Sequence, residues 1–157
     1  MAHDLPVDGG DAAELGPDPL PDDPDLSLTL QARPENVAVV RHAIAGLGDV
    51  LDIDDQTLSD IKLAVSEACT NAVVHAYPDG VGDDPLEVLA YVRGRRLLLV
   101  VRDEGRGIVP RTDSPGLGLG LPLIATLAES VELGTDDRQR TEVRMTFRLD
   151  AEPEATA

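Results

Sequence analysis

From Leu26 the chain alternates leucine with polar residues, Leu26, Leu28 and Leu30 against Ser27, Thr29 and Gln31. That period of two predicts a strand with one buried face and marks the start of the folded domain. Pro34 then suits a first helical turn, and Val37, Val40, Arg41, Ile44 and Leu47 form a mostly apolar stripe expected to end near Gly46 or Gly48. A second, longer helix is predicted from about Asp54 or Asp55 to Tyr77. Leu58, Ile61, Val65, Ala68, Ala72 and His75 or Ala76 follow the three-and-four spacing of a buried face, and Pro78-Asp79-Gly80 supplies the stop.

Two strands follow, Leu86 to Val92 and Arg96 to Arg102, joined across Arg93-Gly94-Arg95 as a short hairpin with glycine where positive φ is needed. Leu97 to Val101 is apolar without a break, the mark of a central strand covered on both faces. A loop rich in glycine and proline leads to a helix from about Leu119 to Glu129, and two strands end the domain. In the last, Val143, Met145 and Phe147 alternate with Glu142, Arg144, Thr146 and Arg148, which assigns one face to core and the other to solvent. This order of elements does not alternate regularly enough for a parallel doubly wound sheet. It fits an α/β fold of α+β two-layer type, with helices on one face of a mixed, mainly antiparallel sheet.

Composition adds a boundary. Of the 157 residues, the first 25 hold eight acids and no Lys or Arg, nearly half of the formal net charge of −17. With Pro6, Pro17, Pro19, Pro21 and Pro24 they read as a disordered acidic tail, residues 151–157 as a disordered C-terminal end, and residues 26–150 as the domain. So acidic a surface repels nucleic acid and anionic membranes, although a nucleotide can still bind where magnesium and backbone N–H groups receive its phosphates. The single cysteine, Cys69, excludes an internal disulfide and lacks the neighbours of a zinc site. No segment approaches the roughly 20 apolar residues of a membrane span, so a cytoplasmic protein is expected.

Three segments carry candidate chemistry. Glu67, Asn71 and His75 are successive i, i+4 neighbours on the second helix. Asn71 offers a carbonyl oxygen to magnesium, and Glu67 either a further contact through water or a base for a hydroxyl nucleophile. A solvated helix edge, or an asparagine tied to a neighbouring helix, would leave the same pattern. Asp103 follows the most apolar strand, where a carboxylate is costly to bury unless something donates to it, and an adenine amino group is one such donor. Gly105 and Gly107 would allow a flat ring to approach; an ordinary acidic turn is the alternative. Gly116, Gly118 and Gly120 lead into a helix whose first N–H groups lack partners and attract phosphate oxygens, without matching the phosphate loop or the dinucleotide fingerprint.

Together, in this order, the segments resemble the GHKL ATPase superfamily with its Bergerat ATP-binding fold. Ser66-Glu67-Ala68-Cys69-Thr70-Asn71-Ala72-Val73-Val74-His75-Ala76-Tyr77 looks like the N box of the bacterial anti-sigma factor serine kinases; Asp103-Glu104-Gly105-Arg106-Gly107-Ile108 and Gly116 to Leu121 resemble their two glycine boxes. The resemblance spans roughly residues 26–149. It implies ATP and Mg2+ as cofactors, with Asn71 as magnesium ligand, Glu67 as catalytic base and Asp103 as acceptor of the adenine amino group. It further implies Gly105 and Gly107 around adenine and Gly116, Gly118 and Gly120 around the triphosphate. Thr141 falls where the family often has a hydroxyl near adenine, although Arg140 stands where it usually has glycine.

The implied function is a serine/threonine-protein kinase acting as an anti-sigma factor. It would hold a sigma factor and phosphorylate a serine of an anti-sigma-factor antagonist, possible homodimerisation being a family expectation. Val109 to Pro115, seven residues, leave room for only a short lid. The alternative is therefore a module that binds ATP to capture a partner without phosphotransfer.

Overall fold

Gly94 shows how local chemistry sets the sheet. Its φ of 58° falls in the left-handed region that side chains disfavour, while Arg95 keeps φ negative, the arrangement of a type II′ hairpin turn. The turn pairs Arg93 with Arg96 and fixes the register of the two central strands. The computed structural model describes residues 19–76, 84–105 and 117–149, the side chains of residues 75–76 and 117–120 excepted.

In chain order the elements are β1 (Leu26–Gln31), α1 (Pro34–Leu51), α2 (Asp55–Asn71), a π-helical turn (Ala72–Ala76), β2 (Pro85–Arg93), β3 (Arg96–Asp103), α3 (Leu117–Leu127), β4 (Ser130–Thr135) and β5 (Thr141–Arg148). The strands form one sheet in the order β1-β2-β3-β5-β4. The mixed, mainly antiparallel sheet of the sequence reading resolves, among the described residues, into four antiparallel pairings. Helices cover one face, with α2 packed between α1 and α3.

The core lies between these layers. Val40 and Ile44 of α1, Ile61, Val65 and Ala68 of α2, and Ile124 of α3 meet Leu86, Val88, Leu97, Leu99, Val101, Met145 and Phe147 of the sheet. The helix-side residues of β3 are thus Leu97, Leu99 and Val101, and alternation gives Asp103 the next position on that side. Val100 is also fully buried, on the outer face, as the unbroken apolar run predicted.

Four sequence expectations need correction. α1 does not end at Gly46 or Gly48 but continues to Leu51. Gly48 packs against Leu58 of α2, and Asp52 closes the helix in the left-handed conformation. α3 begins at Leu117 rather than Leu119, so Gly118 and Gly120 lie inside its first turns. The outward face of β5 is not a solvent face throughout, since Glu142 is only 3% exposed. Finally, the acidic segment does not stay clear of the domain up to residue 25. Leu20 packs with Leu89, Tyr91 and Val100, the Asp25 carboxylate accepts the Val92 N–H at 2.6 Å, and Arg93 donates to the same carboxylate and to the Asp23 carbonyl.

Gly46 sits exposed in α1, and a Cβ there would meet no heavy atom within 4 Å. Gly46→Ala is therefore expected to stabilise the fold by about 0.5–1 kcal/mol through reduced backbone freedom in the unfolded chain. Urea denaturation checks it: the midpoint should rise with unchanged slope.

Candidate nucleotide site

α2 starts at a well-formed cap, the Asp54 carboxylate accepting the Thr57 N–H at 3.0 Å, and runs regularly to Asn71. Glu67 and Asn71, both half-buried, therefore keep the i, i+4 relation that the sequence predicts. At Ala72 the hydrogen bonding changes to the π pattern. That turn sits directly after Asn71, and such single π turns concentrate at functional sites. It also ends the row expected to include His75, whose side chain, with Tyr77 and Pro78-Asp79-Gly80, lies outside the described residues. The π turn packs against β3, which brings the C-terminal end of α2 to the strand that ends in Asp103.

Asp103 and Thr141 are direct cross-strand partners at the end of the β3–β5 ladder. Neighbouring pairs of this kind hold their Cβ atoms about 4.5–5.5 Å apart. Both are buried, at 7% and 6% exposure, and alternation turns both toward the helices, Thr141 in series with Val143, Met145 and Phe147. Asp103 Oδ1 accepts the Gly105 N–H at 2.9 Å. Burial pushes the Asp103 carboxyl up to about 6, a rise that the Gly105 N–H partly opposes. The Thr141 hydroxyl is buried and has no hydrogen-bond partner among the described residues.

This pair suits one kind of ligand edge. A buried hydroxyl left unsatisfied costs about 1–3 kcal/mol, and a buried carboxylate seeks a donor. Adenine offers both complements on one edge, an amino group that donates and a ring nitrogen that accepts. Asp103 and Thr141 thus fit the purine end of ATP.

The remaining predicted residues are placed unevenly. Gly105 sits beside Asp103 and donates to it. Gly118 and Gly120 fall in the first turns of α3, where N–H groups are unpaired by helix geometry; Pro122 further lacks the N–H that the Gly118 carbonyl would otherwise receive. Gly107, Gly116 and the expected lid Val109 to Pro115 lie outside the described residues.

Sequence reading missed an ion-pair cluster on the opposite face of the same strand ends. Arg102 donates from Nη1 to Glu87 at 2.8 Å and from Nε to Glu142 at 2.6 Å, and Arg144 also donates to Glu142. Arg140 donates to Asp136 at 2.6 Å and approaches Glu87 at 3.7 Å. The available signal was an arginine immediately before each of Asp103 and Thr141.

Residues 30–147 match the family described as the histidine kinase-like ATPase domain. The chain belongs to that family. The resemblance drawn from the N box and the glycine motifs is thereby borne out. The serine-protein kinase RsbW of Halalkalibacterium halodurans is 34% identical over 123 residues, spanning 71% of this chain and 76% of that protein. The anti-sigma F factor of Thermoanaerobacter sp. (strain X514) is 28% identical over 132 residues, spanning 77% and 91%. The crystal structure of the RsbU and RsbW domains of a Mycobacterium tuberculosis protein superposes with a TM-score of 0.66 at 24% identity. It covers 87% of this chain and 35% of that one, and carries the likeness in fold alone. For a histidine kinase-like ATPase domain, ATP is the expected ligand. Among the described residues no helix is long and apolar enough to cross a membrane.

Proposed function

We propose that this histidine kinase-like ATPase domain is an ATP- and Mg2+-dependent serine-protein kinase that also sequesters a sigma factor, its phosphoacceptor being a serine of an anti-sigma-factor antagonist. The observation that carries the nucleotide half is the pairing in register of a buried carboxylate, Asp103, with a buried hydroxyl, Thr141, that has no partner among the described residues. The kinase and anti-sigma half draws support from the names of the relatives that match over most of their length.

The roles follow from chemistry. Asp103 accepts the adenine amino group and Thr141 donates to the ring, while Gly105 and Gly107 keep the approach clear. Gly116, Gly118 and Gly120 present backbone N–H groups to the triphosphate at the start of α3. Asn71 would offer magnesium a neutral oxygen, a donor that suits an ion commonly bound through few protein oxygens together with substrate phosphate. Bound Mg-ATP supplies the transferable phosphoryl group and the charge that offsets its transfer. Glu67 takes the proton from the acceptor serine as that oxygen bonds to the γ-phosphorus and the bond to the β–γ bridging oxygen breaks, releasing ADP.

The test is incubation of the full chain with γ-labelled ATP, Mg2+ and a candidate antagonist. Label on a serine of the antagonist, abolished by EDTA, is the expected result. Tight ATP-dependent capture of the antagonist or sigma factor without label on any candidate would replace the kinase by a binding module.

A further inference from the structure

The residues before Asp103 and Thr141 turn, by strand alternation, to the outer face of the sheet, and there they converge. Register places Glu87, Arg102 and Glu142 directly opposite one another on β2, β3 and β5. The next row, on the other face, is Leu86, Asp103 and Thr141. One backbone thickness therefore separates the proposed adenine contacts from a row of alternating negative, positive and negative side chains.

Arg102 joins the three strands, donating to both carboxylates, and its Nε lies 3.9 Å from Asp136 Oδ2. Asp136 in turn closes the β4–β5 connection. Its carboxylate accepts the backbone N–H of Arg138 at 3.0 Å and of Arg140 at 2.8 Å, and the Arg140 Nε. Its own N–H donates to the Arg140 carbonyl at 2.9 Å. The residue entering Thr141 is thus held at both of its backbone polar groups and at its side chain. All three key groups are sheltered, with side-chain exposures of 14% for Arg102, 7% for Asp136 and 3% for Glu142.

We infer that this cluster sets the spacing of Asp103 and Thr141 across the adenine edge, with Arg102 and Asp136 as positioning residues for base selection. The inference rests on the reading of those two residues as the adenine contacts. Without Arg102, among the described residues Glu87 keeps only the longer approach of Arg140 and the buried Glu142 keeps only Arg144, so both carboxylates lose the one cation that ties β2, β3 and β5 together. Without the Asp136 carboxylate the turn entering Thr141 loses its knot. Either change misplaces a donor or acceptor by a fraction of an ångström, which suffices to weaken a hydrogen bond that depends on direction.

The experiment compares equilibrium binding of Mg-ATP with that of purine riboside 5′-triphosphate, which lacks the 6-amino group offered to Asp103, and of 1-deaza-ATP, which lacks the neighbouring ring nitrogen offered to Thr141. It uses the wild-type full chain and Asp103→Asn, Arg102→Met, Arg102→Lys and Asp136→Asn, at a temperature where circular dichroism reports each as folded. Wild type should prefer ATP. Arg102→Met should weaken ATP binding about 10-fold and leave purine riboside 5′-triphosphate within about twofold, while Asp136→Asn should weaken ATP binding about 10-fold and leave 1-deaza-ATP within about twofold, each the behaviour of a misplaced contact. Arg102→Lys, which keeps the charge but not the two-pronged fork, should fall between. A cluster that merely stabilises the sheet would leave the preference for ATP over each analogue intact in every folded variant, whether the three ligands are unaffected or weakened in parallel, and either result overturns the inference. Should Arg102→Met not fold, Asp136→Asn decides. A wild type with no preference for ATP sinks the adenine reading itself. A preference abolished in Asp103→Asn but retained in Arg102→Met and Asp136→Asn sinks only the positioning role.

Discussion

Glu67→Gln is expected to slow phosphoryl transfer to the antagonist by about 10²–10⁴-fold, the usual contribution of a positioned general base. The substitution keeps the side chain's length and its helix propensity, and Glu67 is only half-buried on α2, so folding should be preserved. Because Glu67 is assigned to the acceptor proton and not to the nucleotide, the Kd for Mg-ATP should stay within about twofold, a loss in turnover without a loss in binding. Single-turnover transfer with labelled ATP, run beside calorimetric titration, separates the two quantities. Equal losses in binding and transfer would move Glu67 to the metal, the other role open to a carboxylate beside Asn71. Undiminished transfer would remove it from the reaction.

Asp103→Asn should have opposite effects on stability and on binding. The folded-state pKa is raised from 3.8 to about 6, chiefly by burial. Below pH 3.8 the group is neutral in both states and contributes nothing. Between that value and about 6 the unfolded chain ionises while the folded one resists, so stability falls as pH rises, and above 6 the deficit is complete. Its size is on the order of 2–3 kcal/mol. Asparagine avoids that cost, so thermal unfolding at pH 7.5 should occur several degrees higher in the variant, with little difference at pH 3.5.

Binding should move the other way. With Oδ1 still accepting the Gly105 N–H, the amide places an NH2 where the second carboxylate oxygen stood, donor facing donor against the adenine amino group. Loss of a hydrogen bond to a charged acceptor is worth about 1.5–3 kcal/mol, roughly 10- to 100-fold in Kd. Wild-type affinity should also decline as pH falls through about 6, and this dependence should vanish in the variant. A destabilised Asp103→Asn protein, or one that binds ATP as tightly as wild type, would show that the carboxylate is satisfied from within the chain.

Much of this arrangement was legible because its signals are local. The alternation from Leu26 and the spacing of Leu58, Ile61, Val65 and Ala68 each depend on one element's own periodicity, and both elements formed where expected. Asp103 declared itself by standing at the end of an apolar strand. The pairing of Asp103 with Thr141 needed the register of strands nearly forty residues apart, which periodicity does not encode; only the family resemblance pointed to Thr141. The ion-pair cluster was hidden for a related reason. Glu142 and Arg144 occupy the polar phase of a clean alternation, and that phase reads as solvent until a third strand and a turn are known to lie across it. The ends of α1 and α3 escape a reading of glycine as a helix boundary, because Gly48 packs closely against Leu58 within α1 and Gly118 and Gly120 are helical.

The docking of residues 20–25 along β2 changes where the smallest autonomous unit begins. Composition draws the line at Leu26, and a fragment cut there would keep every strand and helix of the described residues. It would also lose the Asp25 carboxylate from the Val92 N–H and uncover Leu89, Tyr91 and Val100 on the back of the sheet. Such a fragment would carry an oily, unguarded surface and self-associate on purification, so the few residues that look like the end of a charged leader serve the sheet as its weatherproofing.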